Sequence, residues 1–144
     1  MFDENPHNAK VSAEGETSSM ANVLTAALSF MKNKIVTSDN DKIGIVLYGT
    51  RTAKNPLNFN SINVVLKLDT PDAQTIKLLQ EKIATYRTDF GCCARDPQKS
   101  PLFEALWTCH QEFKSVEKQT YSKRIFLFTD EDCPGSAEDQ AMAK

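Results

Sequence analysis

Oxygen-bearing side chains cluster directly after the most apolar run of the chain. The run 125–128 ends at four polar residues, Thr129, Asp130, Glu131 and Asp132. A continuous apolar run bounded by charge is typical of a strand buried on both faces, and ligands or partners of open α/β sheets bind just past the carboxyl ends of such strands. These four residues are therefore the candidate binding residues. On chemistry alone, the simpler interpretation that the acids solvate a strand end is favoured.

The other chemistry-bearing residues lack the spacing that sites require. No Cys-x-x-Cys pair is present, and a disulfide framework is not expected in a reducing compartment, so reduced thiols are predicted. Gly49 and Gly91 form no phosphate-cradling pattern, and no nucleophile–base pair stands out. No catalytic residue and no cofactor are predicted, which disfavours a small nucleotide-dependent α/β enzyme. The cysteines and histidines are Cys92, Cys93, Cys109, Cys133, His7 and His110.

Length and composition predict one globular domain that does not bind nucleic acid. The chain has 144 residues, of which 40% are hydrophobic and 25% charged, with a net charge of −2. That charge does not favour binding to a phosphate backbone. No run approaches membrane-spanning length and the start is polar, so we expect no membrane partner and a cytosolic or nuclear location. Residues 1–16 are acidic and predict a disordered lead-in to a domain at 17–144.

Periodicity along the chain predicts alternating helices and strands. Two strands without a helix between them should pair antiparallel, and the mixture implies an α/β sandwich with helices on both faces of a sheet. In the last helix we expect a buried stripe formed by Leu102, Phe103, Leu106, Trp107 and Phe113. The predicted elements are a helix from Thr17, strands at 42–49 and 62–68, a helix opened by Thr70-Pro71-Asp72, a helix opened by Ser100-Pro101 and a strand at 123–128.

Several blocks, in order and without large gaps, resemble the Ku family, and within it the lighter subunit of the Ku heterodimer. The resemblance lies in the N-terminal domain of von Willebrand A type and extends from Thr17 to Pro134. The blocks are KRIFLFTDEDCP (123–134), DKIGIVLYGT (41–50), Lys54-Asn55, Asn58-Phe59, LDTPDA (68–73) and Ala105-Leu106-Trp107.

The resemblance implies a Rossmann-like three-layer sandwich, but an incomplete one. The central first strand of such domains and their C-terminal elements have no counterpart here, so we expect a partial domain that is marginally stable alone. Ser100 and Asp130 occupy places of metal ligands in A-type domains. A hard cation needs about six oxygens, several of which come from the missing Asp-x-Ser-x-Ser motif. These positions are therefore interpreted as vestigial, with no metal bound.

The resemblance also implies a function. Ku is nuclear, pairs a lighter with a heavier subunit, encircles double-stranded DNA ends, and serves non-homologous end joining and telomere maintenance. Its A-type domain is peripheral and contacts the partner subunit and other repair factors, while other parts of the protein hold DNA. The helicase and lyase activities named in the family find no support in these residues. The alternative is a metal-dependent adhesion-type A domain that binds a protein ligand, and an α/β domain of another role also remains open.

Overall fold

Three helices and two strands form the described part of the chain. The computed structural model describes residues 19–38, 40–91, 101–116 and 122–129. The lead-in predicted at 1–16 lies outside these residues, as do residues 17 and 18 at the predicted start of the first helix. The elements are α1 (Ser19–Thr37), β1 (Ile43–Tyr48), β2 (Ile62–Asp69), α2 (Ala73–Asp89) and α3 (Leu102–Ser115).

The two strands pair antiparallel, which confirms the prediction made from their short connection. Tyr48 lies opposite Ile62, and the register shifts on both sides of Ile45. These shifts interrupt the alternation of side chains, because each extra residue turns the following side chain toward the other face. Lys54 adds a short parallel bridge to Asn63, so the connecting loop returns along the start of β2.

Asn55 holds the loop between the strands in shape. Its side-chain oxygen accepts hydrogen bonds from the backbone N–H groups of Leu57 (3.2 Å) and Phe59 (2.9 Å). Its amide nitrogen donates to the carbonyls of Phe59 (2.8 Å) and Ile62 (2.9 Å). One asparagine thereby satisfies backbone groups that a loop without regular structure would leave unpaired.

The core lies between α1, α2 and one side of the hairpin. Leu24, Leu28 and Met31 of α1 are buried, as the spacing of apolar residues predicted, and they meet Leu79 of α2. Full burial of such a side chain contributes roughly 1.5–3 kcal/mol. Helix α3 contacts both strands without joining this cluster, as expected for a helix on the opposite face.

Helix α2 begins two residues later than the start motif suggested. Asp72 is its N-cap and accepts the N–H of Thr75 at 2.7 Å. Thr70 was expected to cap the helix, with Pro71 in its first turn. The carboxylate at 72 instead takes the capping position, because aspartate accepts an N3 amide at least as well as threonine does. The hydrogen bonds from Thr75 hold the pKa of Asp72 below its ordinary value.

The prediction of a third buried strand at 123–128 is wrong for the structure. The segment 122–129 carries no strand, and its residues are exposed. A strand requires a neighbouring backbone for ladder hydrogen bonds, and the sheet within the described residues consists of β1 and β2 alone. An apolar composition is typical of a buried strand, but composition does not supply the partner that a strand requires.

Candidate interaction surfaces

The predicted binding residues are only partly within the described chain. Thr129 is exposed at the end of the segment 122–129. Asp130, Glu131 and Asp132 lie outside the described residues, and so does Ser100. The structure therefore places one of the four predicted partner-binding residues at the surface.

An apolar strip precedes Thr129. The side chains of Ile125, Phe126, Leu127 and Phe128 are 46–68% exposed. Phe126 meets the ring of Phe30 of α1 edge-on, with centroids 6.2 Å apart. Contiguous exposed apolar residues of this size mark interaction sites or aggregation hazards on soluble proteins. We call residues 125–128 the apolar strip.

A small charged cluster lies beside the apolar strip. Lys34 forms an ion pair with Asp41 (2.6 Å) and lies 5.7 Å from the ring centroid of Phe30. The hydrogen bond from Lys34 is the largest cause that lowers the pKa of Asp41, and the charge of Arg124 contributes a smaller part. Asp41 thus stays ionised and links the end of α1 electrostatically to the segment that carries the strip.

A cleft of about 290 Å³ lies between β2, the returning loop and α2. Inside it, Asp89 accepts hydrogen bonds from Lys82 (2.7 Å) and Thr85 (2.8 Å), and Lys82 is the main cause that lowers the pKa of Asp89. Asn63 donates to Thr52 (3.0 Å). Within the described residues no buried side-chain nitrogen or oxygen lacks a partner. These groups satisfy one another, and none forms a nucleophile–base pair.

The outward side of α3 is aromatic. Phe103 stacks on Trp107 with centroids 6.4 Å apart, and the ring of His110 follows at 5.6 Å. Trp107 is 43% exposed, whereas Ala105 and Thr108 are buried. The prediction that Trp107 belongs to the buried stripe is therefore wrong, because small residues let α3 approach the strands closely and the large ring is left outside.

A comparison with known families decides the classification. A sequence profile of the Ku70/Ku80 N-terminal alpha/beta domain matches residues 1–144. The chain belongs to this family. The α/β fold class predicted from the sequence is thereby confirmed, and the two-stranded sheet with its helices fits an incomplete version of the fold.

Individual relatives agree with the Ku assignment. The chain is 33% identical over 128 residues to the "ATP-dependent DNA helicase ku70" of Dictyostelium discoideum, which covers 82% of this chain and 14% of that protein. It is 37% identical over 116 residues to the mouse "X-ray repair cross-complementing protein 6", covering 80% and 19%. It is 30% identical over 112 residues to the Arabidopsis thaliana "ATP-dependent DNA helicase 2 subunit KU70", covering 72% and 18%. The chain thus spans about a fifth or less of these relatives.

Cys109 of α3 is the one cysteine among the described residues. Burial, and secondarily the charge of Glu112, raises the pKa of Cys109, so this thiol is a poor nucleophile at neutral pH. No group of three or more histidine, cysteine or acidic side chains is placed to hold a metal ion in this part of the chain. None of its described helices combines the length and apolar character needed to cross a bilayer.

Proposed function

We propose that this chain is the N-terminal interaction domain of the lighter subunit of a Ku heterodimer, which binds double-stranded DNA ends through other parts of the protein. Membership of the Ku70/Ku80 family carries the proposal. Of two relatives from Dictyostelium discoideum, the one named ku70 is 33% identical to this chain and "X-ray repair cross-complementing protein 5" is 26% identical. This order favours the lighter subunit.

The proposed role is protein contact rather than enzymatic catalysis. The exposed position of Thr129, directly after the apolar strip, supports it, because partners of open α/β sheets bind just past such apolar runs. The net charge of −2 supports DNA binding by parts of the protein outside this chain, since binding to a phosphate backbone requires clustered cations. We propose the heavier Ku subunit and other end-joining and telomere factors as partners, in the nucleus. The loop from Thr129 to Asp132 is proposed as part of the contact surface.

The experiment uses the complete lighter subunit paired with the heavier one. Asp130→Ala combined with Asp132→Ala should leave the affinity for a double-stranded DNA end within about twofold of the unchanged heterodimer, as measured by fluorescence anisotropy. The same variant should weaken binding of end-joining factors in a pull-down with purified proteins. A large loss of DNA affinity with intact protein binding would contradict the assignment.

A further inference from the structure

The outer face of α3 combines stacked aromatic rings with cations. We define this face as Phe103, Trp107, His110 and Lys114, which lie three or four residues apart and so on one side of the helix. The Lys114 ammonium lies 6.0 Å from the centroid of Trp107. An indole with 43% of its surface exposed is large apolar area left in water, and tryptophan is among the residues that dominate binding energy at protein interfaces.

The charge around this face is positive at the C-terminal end of the helix. Lys114 is joined there by Lys123, whose ammonium lies 5.8 Å from the ring centroid of Phe113. Neither lysine forms an ion pair with another described residue. The acid nearest in sequence, Glu112, accepts the backbone N–H of Leu68 at 3.1 Å and so is directed toward the sheet. Among the described residues, the two lysines therefore bring positive charge to this end of the helix without an ion-pair partner.

We infer that the outer face of α3 binds an acidic peptide segment of a partner protein. An aromatic or aliphatic side chain of the peptide stacks on Trp107, and its carboxylates pair with Lys114 and Lys123. Cations beside an exposed aromatic ring also suit single-stranded nucleic acid. Two lysines on a chain of net charge −2 favour the peptide, because nucleic-acid grooves carry more cations along the backbone. The inference deepens the proposed function by naming the chemistry of one partner, and it rests on that function.

Binding of an acidic, aromatic polymer makes the inference measurable. The probe is a fluorescein-labelled random copolymer of glutamate and tyrosine. It is titrated into the heterodimer of the complete lighter subunit with the heavier one, with a double-stranded DNA end bound so that the DNA-holding surface is occupied. We expect saturable binding in fluorescence anisotropy, with an affinity that falls as salt is added.

Matched variants separate the site from general charge. Lys114→Glu should weaken copolymer binding about tenfold, which corresponds to roughly 1.4 kcal/mol. Lys77→Glu makes the same charge change at an exposed position of α2 and should have less than a twofold effect. Trp107→Phe keeps a ring and should weaken binding less than Trp107→Ala. Circular dichroism of each variant verifies that it is folded.

Three outcomes would overturn the inference. They are absence of copolymer binding, equal effects of the Lys114 and Lys77 substitutions, and tighter binding of an oligo-thymidine strand than of the copolymer. Pairing with the heavier subunit and affinity for double-stranded DNA ends are measured in parallel on the Lys114→Glu heterodimer. If the heterodimer still forms and binds DNA ends, but neither the unchanged protein nor any variant binds the copolymer, the inference fails and the proposed function stands. If pairing itself fails in the unchanged subunit, the proposed function fails.

Discussion

Gly44 is a position where one added methyl group should cost measurable stability. It lies on β1 opposite the irregular part of β2. A Cβ built there would stand 3.2 Å from the Leu68 nitrogen and 3.3 Å from the Leu66 oxygen. Both are backbone atoms of the neighbouring strand, so they cannot rotate away as a flexible side chain could. The N–H of Leu68 is also the donor to Glu112, so displacement of this strand strains the contact between the sheet and α3.

The magnitude follows from two opposing effects. Overpacking typically costs about 1–3 kcal/mol. Replacement of glycine by alanine recovers about 0.4–1 kcal/mol, because the unfolded chain loses conformational freedom. From the middle of each range, Gly44→Ala should lower the free energy of unfolding by about 1.3 kcal/mol, which corresponds to a fall in Tm of roughly 3–5 °C.

Urea unfolding followed by circular dichroism measures this change. The midpoint should fall while the slope of free energy against urea stays constant, because the surface exposed on unfolding does not change. Val36→Ala is the control, since that side chain is 84% exposed and should be nearly neutral. Gly49→Ala tests backbone strain without crowding. No atom lies within 4 Å of a Cβ built at Gly49, but its φ of +70° is unfavourable for alanine. This substitution should therefore lower the free energy of unfolding by about 1–2 kcal/mol through conformation alone. An unchanged or raised midpoint for Gly44→Ala would refute the close approach of the two strands.

Three further predictions concern the loop, the carboxylates and the apolar strip. Asn55→Ala should lower the free energy of unfolding by about 1–3 kcal/mol, because backbone groups lose their partners; urea midpoints test this, and a neutral result would contradict it. Folding lowers the pKa values of Asp72 and Asp89, so the stability that they contribute is present above the ordinary value of 3.8 and is lost as the pH falls through the lowered values. A urea midpoint that stays constant from about pH 5 to pH 2 would exclude this linkage. Phe126→Lys should reduce self-association in analytical ultracentrifugation, whereas Val36→Lys should not, since residue 36 lies outside the strip; equal effects would dismiss the strip as the cause.

Local patterns sufficed for the elements whose partners are close in sequence. The apolar spacing of α1 placed Leu24 and Leu28 in the core, and the absence of a helix between β1 and β2 fixed their antiparallel pairing. Both features depend on local periodicity and on the length of a connection. The mixture of helices and strands implied an α/β sandwich, and the family resemblance added the von Willebrand A type.

Features that depend on the residues packed against a segment could not be predicted from that segment's own sequence pattern. The run 123–128 has the composition of a buried strand, but no described strand pairs with it. Trp107 fits the apolar stripe of α3 by spacing, yet Ala105 and Thr108 take the buried side because they permit close packing. The role of Asn55 was missed for a related reason: its four hydrogen bonds depend on the loop geometry. An asparagine just before a proline in a loop was the one available signal.

The most direct test of the proposed role is amide hydrogen exchange in the complete heterodimer, with and without a double-stranded DNA end. If this domain contacts proteins and leaves DNA to other parts of the subunit, exchange in α1, α3 and the segment 122–129 stays the same when DNA is added. Exchange in the segment 122–129 instead slows when the lighter subunit pairs with the heavier one or with an end-joining factor. DNA-induced protection across these elements, with no protection from any protein partner, would contradict the account.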